Sequence, residues 1–214
     1  MLTEDYIMRM INLALAVLVK IMGFKQAGRY QEAIQQIDQA LEMLFGMRAD
    51  LIRRLDDNRL LDALTVQETL DIDRLLVVAE LFYEEGDILV RQDRNEESTL
   101  SRLRSLNFYL EVALSVEPDS FSELDNKITE LLIHLREHDL PPETLYSLFV
   151  YYAHLGKYSA AEERLYQLAE STSSDADINL ELKEFYQNLL SKTDEEIIRG
   201  GLTRDIIISR MKAL

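Results

Sequence analysis

At residues 156–161 the chain reads Gly-Lys-Tyr-Ser-Ala-Ala, and this stretch separates two apolar helical patterns. Apolar residues before it recur at spacings of three and four, which predicts a helix with one buried face. Gly156 ends that pattern, because glycine accepts the left-handed conformation that closes many helices. A second pattern begins at Tyr158 and places the small Ala161 where the two helices would approach each other. The stretch therefore predicts two antiparallel helices joined by a tight turn.

The same spacing occurs near the N-terminus. Gly28 precedes a tyrosine by two residues and an alanine by five, as Gly156 does. A third, incomplete copy leads to Gly86 and closes with an alanine, a leucine and Pro118. Between Gly86 and Ala113 this copy carries roughly fifteen residues more than a helical repeat allows. Internal similarity at a fixed spacing is typical of proteins built from repeated helix pairs.

These residues resemble the tetratricopeptide repeat, a helix–turn–helix unit of about 34 residues. The resemblance covers residues 14–45 and 142–171, and in part 72–118. It implies an all-α fold: a right-handed stack of antiparallel helix pairs, or tetratricopeptide-like α-solenoid, with extra helices and a C-terminal helical cap. The alternative is a helical bundle that happens to use Gly-x-Tyr turns. The whole chain also resembles a family of uncharacterised bacterial proteins of similar size, which implies no activity.

The sequence predicts a single all-helical domain over residues 1–214. Only seven glycines and three prolines are present, which favours helix, and no stretch alternates with period two between turn signals, so we predict no sheet. The expected order is N-terminal helices with degenerate repeats, a helix with the clearest repeat pair, and C-terminal capping helices. The N-terminal helices are expected at residues 1–118, with an insertion near 87–98. The helix and the clearest repeat pair are expected at 119–171, and the capping helices at 172–214.

Helix starts are predicted where Ser or Thr precedes Glu by three residues, because the two side chains can satisfy each other's backbone donors. Such capping boxes are expected at Thr65, Ser120 and Thr193, and Thr3 is expected to be a simpler N-cap. Gly200 and its neighbouring glycine are expected to end a short helix.

Two further local predictions concern the first half of the chain. A helix is expected from Tyr30 to about Phe45, and a following helix should turn Arg53 outward and end near Asp56. Residues 87–98 are polar after the first few positions, which predicts an exposed loop or a frayed helix end. A solvated helix surface explains the same residues equally well.

Composition limits the possible partners. The net charge is −16, with 39 acidic and 23 basic residues, so nucleic acid and anionic membrane surfaces are disfavoured and a neutral or basic protein is favoured. The chain has no cysteine, which excludes disulfides and thiolate chemistry and is compatible with the cytoplasm. The apolar run 13–19 is far shorter than the roughly 20 residues of a membrane-spanning helix, so we interpret it as a buried helix.

One motif could carry chemistry. His134-Leu135-Arg136-Glu137-His138 has the H-x-x-E-H order and resembles, over five residues only, the inverted zinc metallopeptidases. On a helix, His134 and His138 could share a metal ion with Glu137 as base. The alternative is that both histidines are surface residues, with His138 stabilising a helix C-terminus. No glycine-rich phosphate loop and no serine elbow occurs, so we predict no catalytic residue, no cofactor and no enzyme.

The resemblance to the tetratricopeptide repeat implies an inner surface lined by the first helix of each pair. Some members bind a C-terminal carboxylate with Lys and Asn at set positions of this surface. Here those positions hold Leu, Met, Glu, Tyr and Val, so the groove should favour an apolar segment instead, with a basic residue facing Glu80. An alternative is that the extra helices fill this surface from within. The expected groove residues are Leu18, Met22, Lys25, Leu76, Glu80, Tyr83, Tyr146, Val150 and His154.

Three functions are therefore open. The first is a non-enzymatic protein-interaction module or adaptor that binds an apolar segment of another protein or peptide in a helical groove. The second is a metal-dependent hydrolase that uses His134, Glu137 and His138. The third is a structural homo-oligomer, such as a homodimer, that uses the apolar first helix as its interface.

Overall fold

The computed structural model describes residues 16–116, 121–171 and 175–213, the side chains of 121–123 and 175–177 excepted. The described chain is mostly helical and divides into two compact units, one ending at Glu137 and the other beginning at His138. The organisation of residues 1–214 as a single domain, with the right-handed stacking of its helix pairs, stays a prediction.

The described part of the first unit begins with helix α1, of which residues 16–26 are described. Six further helices and one small hairpin follow it in this part of the chain. Its longest helices, α5 and α6, pack along each other, and α2 and α7 pack on this pair. The elements are α2 (Tyr30–Phe45), α3 (Ala49–Ile52), α4 (Asp57–Leu64), β1 (Thr65–Val66), β2 (Thr69–Leu70), α5 (Ile72–Val90), α6 (Asn95–Ser115) and α7 (Phe121–Leu135).

The second unit contains α8 (Pro142–His154), α9 (Tyr158–Ser171), α10 (Asp175–Leu190), α11 (Asp194–Arg199) and α12 (Arg204–Ala213). All five helices contribute to one apolar cluster. Burial of this shared face stabilises the unit, because apolar surface removed from water contributes about 25 cal/mol per Å². The most buried members are Ala161, Leu165, Leu182, Tyr186, Leu189, Ile197 and Ile207.

The predicted helix pair is present at α8 and α9. Gly156 adopts the left-handed conformation, with φ of 70°, and the amide of Lys157 donates to the carbonyl of Tyr152 at 2.9 Å. Ala161 is fully buried, as expected where two helices approach closely. Pro142 is the first residue of α8, which suits a residue without an amide proton. The prediction that these two helices lie against one another is confirmed.

The turn between α8 and α9 is itself covered by the end of α11. The amide of Ser159 donates to the carbonyl of Gly200 at 2.9 Å. A Cβ atom at residue 200 would lie 2.6 Å from the carbonyl oxygen of Gly156 and would overlap the ring of Tyr158. Gly200 therefore ends a helix, as expected, and also allows two backbone turns to pack together.

A buried carboxylate joins α9, α10 and α12. Glu162 is only 4% exposed, and it accepts hydrogen bonds from the hydroxyl of Tyr186 and the guanidinium of Arg210. The Tyr186 hydroxyl also lies 3.1 Å from that of Tyr166. Burial and the neighbouring carboxylate raise the pKa of Tyr186, so the phenol remains a donor.

The predicted loop at residues 87–98 is not present. Helix α5 continues through Gly86 to Val90, and α6 begins at Asn95, so only a short turn separates them. Gly86 lies in the helix interior because α6 passes directly over it: a Cβ there would lie 2.6 Å from Arg102 Cγ. The side chain of Ser98 donates to the Gly86 carbonyl at 2.7 Å. The glycine reflects a close helix contact rather than a helix end.

The predictions of no sheet and of a capping box at Thr65 are wrong. Residues 65–70 form a two-stranded antiparallel hairpin in which Thr65 pairs with Leu70. Its turn residues, Gln67 and Glu68, both have positive φ, at 50° and 65°, which matches the turns preferred in two-residue hairpins. Helix α5 is capped instead by Asp71, whose side chain accepts from the amide of Arg74.

The segment after α3 also differs from the prediction. Asp56 does not end a helix but caps α4, accepting from the amide of Arg59 at 2.9 Å. Arg53 turns inward, where it meets a buried carboxylate. The capping box at Thr193 is confirmed in both of its hydrogen bonds. The predictions at Thr3 and Ser120 lie outside the described residues.

Candidate functional site

Four carboxylates of α5 lie between residues 80 and 87, and cations from other helices reach them. Lys25 Nζ of α1 lies 2.6 Å from Glu84 Oε2 and 3.0 Å from Asp87 Oδ2. Lys127 Nζ of α7 lies 2.9 Å from Glu80 Oε1. Glu84 is 5% exposed, so its pairing with Lys25 satisfies a charge that burial would otherwise destabilise.

Helix α7 contacts the part of the predicted groove that contains Glu80 and Tyr83. The Tyr83 hydroxyl donates to Glu130 Oε1 at 2.5 Å, and Lys127 Nζ lies 3.9 Å from the centre of the Tyr83 ring. The hydroxyl of Tyr109 donates to Glu80. Burial and these carboxylates raise the pKa of both phenols. In this unit, an added helix engages the surface where a basic ligand residue was expected to meet Glu80.

The other predicted groove residues differ in exposure. In the first unit, Leu18 is buried, whereas Met22 and Leu76 are exposed on α1 and α5. The remaining three lie on α8 in the second unit, where Tyr146 is 44% exposed, Val150 packs against the apolar cluster and His154 is the last helical residue. The grouping of all nine residues into one groove stays a prediction.

The metal-binding alternative requires His134 and His138 to lie one turn apart on the same helix, and they do not. Helix α7 ends at Leu135, so His134 is its penultimate residue and His138 lies beyond its end rather than one helical turn further along. His134 Nε2 lies 3.9 Å from Glu130 Oε1. Among the described residues, no group of three or more His, Asp or Glu side chains has an arrangement that could hold a metal ion.

A concave site does occur elsewhere in the first unit. It is a cavity of about 600 Å³ between α2, α5, α6 and the segment that links α3 to α4, and we call it the mixed-charge cleft. Its lining combines apolar side chains with three arginines and four carboxylates. Ile34, Leu89 and Leu103 form its apolar floor, and the lining also includes Asp38, Arg53, Phe82, Glu85, Arg94, Glu97, Leu100 and Arg104.

A buried ion pair forms the inner wall of the mixed-charge cleft. Glu85 is 2% exposed, and it accepts two hydrogen bonds from Arg53 and one from Ser101 at 2.7 Å. A second carboxylate, Asp38, accepts from Arg53 at 2.6 Å. Burial alone would lower the pKa of Arg53, but the charge and hydrogen bonds of Glu85 and Asp38 outweigh burial and raise it. The wall therefore carries fixed, paired charges.

Arg104 fixes the neighbouring backbone. Its Nε donates to Asp57 at 2.8 Å, and its Nη2 donates to the carbonyl of Leu55 at 2.6 Å. The guanidinium carbon lies 5.1 Å from the centre of the Phe82 ring, which is a cation–π distance. Arg104 thus holds the link between α3 and α4 against α6 and shapes one side of the mixed-charge cleft.

The mouth of the mixed-charge cleft is exposed and amphipathic. Leu100 is 66% exposed, an unusual position for a leucine that lines a cavity. Glu97 lies one helical turn before Leu100 and forms an ion pair with Arg94 at 2.6 Å, and the two side chains are 58% and 44% exposed. An apolar floor bordered by paired charges is the usual anatomy of a protein-binding site.

Sequence reasoning missed this site because its partners are far apart in the chain, as Arg53 and Glu85 are. One signal was available. Ser98, Ser101 and Ser105 recur at spacings of three and four within a polar run, and all three are buried against α5. A stripe of small side chains at helical spacing indicates a helix–helix contact, and it predicts a helix where we expected a loop.

No described helix combines the length and the apolar character that crossing a membrane requires. A model of the "Family of unknown function (DUF6483)" matches residues 1–214. No curated protein and no solved structure matches the chain.

Proposed function

We propose on physical grounds that this chain, which belongs to DUF6483, a family of unknown function, is a protein-interaction module rather than an enzyme. One observation carries the proposal: the mixed-charge cleft has an apolar floor and an exposed leucine, Leu100, at its mouth. An apolar segment of another protein would bury Leu100 and the floor beneath it. Burial of that surface would provide most of the binding free energy.

The same proposal includes the tetratricopeptide-like architecture of an adaptor and its location. The α8–α9 pair, with its left-handed glycine and buried alanine, supports a tetratricopeptide-like pair at that position. We propose that the remaining helices extend this architecture and that the protein acts in the cytoplasm. Neither nucleic acid nor an anionic membrane surface is expected as a partner, since the chain carries a net charge of −16.

Affinity capture from the native cell tests the interaction, with Leu100→Glu as the decisive variant. A charge at the mouth of the mixed-charge cleft should abolish recovery of the partner, because the carboxylate would have to lose its water on binding. Leu180→Glu is the matched control, since Leu180 is 58% exposed on α10 in the other unit. Partners recovered equally with both variants would contradict the assignment of the site.

A structural homo-oligomer is the alternative that the same experiment must separate. Val19 and Met22 are exposed on α1, at 72% and 47%, which keeps this helix available as an interface. The mass in solution, measured by light scattering, decides: a strictly monomeric protein excludes the homo-oligomer. An oligomer that Val19→Glu dissociates, with no other protein captured, would replace the adaptor.

A further inference from the structure

Two carboxylates that line the mixed-charge cleft, Glu97 and Asp38, are more exposed than Glu85 in its inner wall. Glu97 is 58% exposed and accepts two hydrogen bonds from Arg94, whose side chain is 44% exposed. Asp38 receives one bond from an Arg53 guanidinium that Glu85 already holds by two others. Neither of these pairs is buried as the Arg53–Glu85 pair is, so Glu97 and Asp38 can exchange their partner for a ligand cation at less cost than Glu85 can.

The arginines of the mixed-charge cleft are less able to exchange their partners for a ligand anion. Arg53 is tied to a carboxylate that is 2% exposed, and separating the two would leave that charge buried and unpaired. Arg104 is held by Asp57 and by a backbone carbonyl. Arg94 remains exposed, but its two hydrogen bonds to Glu97 and the net charge of −16 both disfavour an anion there. The mouth is therefore better suited to a cation.

The spacing of the mouth residues indicates the shape of the ligand. Glu97 and Leu100 lie three residues apart on α6, so they share one face of the helix. A ligand helix that places an apolar side chain against Leu100 would reach Glu97 with a side chain three or four positions away. A long, flexible lysine or arginine stem can cover apolar surface and still present its charge.

We propose that the occupant of the mixed-charge cleft is a basic amphipathic helix of a partner protein. Its apolar face lies on Leu100 and the floor formed by Ile34, Leu89 and Leu103. A lysine or arginine of the same helix pairs with Glu97 or Asp38. This identification of the partner's chemistry rests on the proposed function.

Designed peptides test the proposal directly. The probe is a fluorescein-labelled helical peptide of about fourteen residues, containing only leucine and lysine, with leucines on one face. One comparison peptide replaces every lysine by glutamate, and another scrambles the order so that no apolar face forms. Fluorescence anisotropy at about 0.15 M salt, where non-specific attraction between distant charges is screened, gives the dissociation constants.

Variants of the protein separate the contribution of charged side chains to peptide binding from the contribution of apolar side chains. We expect Glu97→Gln with Asp38→Asn to weaken binding of the leucine–lysine peptide about threefold to tenfold. Leu100→Ser should weaken it by about tenfold, as for the loss of a buried apolar side chain. Glu163→Gln and Leu180→Ser, on exposed positions of α9 and α10, should leave binding unchanged. Glu97→Gln alone gives the answer if the Asp38 variant does not fold.

The outcomes separate this inference from the proposed function. Binding of the lysine peptide that Glu97→Gln and Asp38→Asn do not weaken overturns the basic partner. Tighter binding of the glutamate peptide, sensitive to Leu100→Ser, also overturns it but leaves the interaction site intact. If no peptide responds to Leu100→Ser, the mixed-charge cleft is not a docking site for a helix and this inference is wrong. The proposed function is then decided separately, by capture of the partner with Leu100→Glu.

Discussion

Gly200 is the residue at which a single methyl group should have the largest effect. Its φ is −77°, so alanine is conformationally acceptable there, yet the new Cβ would overlap Tyr158 and the carbonyl of Gly156. We expect Gly200→Ala to lower the free energy of unfolding by about 1–3 kcal/mol, as overpacking does in well-packed cores. Urea unfolding followed by circular dichroism measures it.

Gly23→Ala is the matched control for that change. Gly23 lies on the exposed face of α1, and a Cβ there meets nothing within 4 Å. The variant should be neutral or more stable by up to about 1 kcal/mol, because alanine favours helix over glycine. Equal effects of the two substitutions would show that the surroundings of Gly200 accommodate the added methyl group, which would contradict the expected overlap with Tyr158.

Helix α11 depends on its N-terminal cap. Thr193 Oγ1 accepts from the amide of Glu196 at 3.3 Å, and the Glu196 side chain accepts from the amide of Thr193 at 2.9 Å. We expect Thr193→Ala to lower the free energy of unfolding by about 1 kcal/mol. Thr129→Ala, on an exposed position within α7, should be neutral or slightly stabilising. The prediction fails if Thr193→Ala is as well tolerated as the control.

In the hairpin between α4 and α5, replacing one residue by glycine is expected to stabilise the protein. Glu68 has φ of 65°, a conformation that disfavours side chains with a Cβ. Glu68→Gly should therefore raise the free energy of unfolding by about 0.5 kcal/mol, after the entropy of glycine in the unfolded chain is counted. Thermal and urea unfolding both report the change.

The same substitution decides between the hairpin and a capping box. If Glu68 closed a box with Thr65, its removal would destabilise the protein instead. Glu163→Gly, at an exposed position within α9, should cost about 1 kcal/mol, since glycine is a poor helix former. A destabilisation of similar size at both positions would contradict the hairpin.

Local patterns in the sequence predicted the elements whose signals are local. The bounds of α2 and the α8–α9 turn followed from apolar spacing and from a glycine at a helix end. Gly86 follows an apolar helical pattern as those glycines do, but it lies beneath α6, and that non-local contact separates a helix interior from a helix end. Thr65 and Glu68 have the spacing of a capping box and form a hairpin instead.

The candidate site depends on contacts that are further apart still. The floor of the mixed-charge cleft combines residues of α2, α5 and α6, and its wall joins Arg53 to Glu85 across 32 positions. No period in the sequence connects these residues. Arg53 was expected to face solvent because apolar spacing placed it on the outward face of a helix ending near Asp56, and its carboxylate partner could not be chosen among 39 acidic residues.

At the scale of the whole molecule, the ion pairs predict a loss of stability in acid. Burial alone would raise the pKa of Asp87, but the hydrogen bond and charge of Lys25 outweigh it and lower the pKa below 3.8. Hydrogen bonds also lower the pKa of Glu97 and Glu196. A lowered pKa in the folded state contributes stability above the unfolded value, and this contribution is lost as the pH falls through the folded value.

We therefore expect the free energy of unfolding to decrease below about pH 4, and to decrease less steeply in Asp87→Asn. Asp62→Asn, on the exposed side of α4, is the control and should keep the wild-type slope. Urea titrations at a series of pH values give the slopes. If acid instead stabilises the protein, repulsion among its 39 acidic residues outweighs these pairs.

The bond between Ser159 and Gly200 provides an internal reporter of motion in the second unit. An amide in the first turn of a helix has no helical partner and normally exchanges its hydrogen with solvent within seconds to minutes. The Ser159 amide instead donates to a carbonyl 41 positions later in the chain. Its deuterium uptake should therefore be slow and should rise only when α11 separates from the α8–α9 turn. Gly200→Ala should accelerate uptake at Ser159 far more than at the amides in the middle of α9, which stay bonded within their own helix.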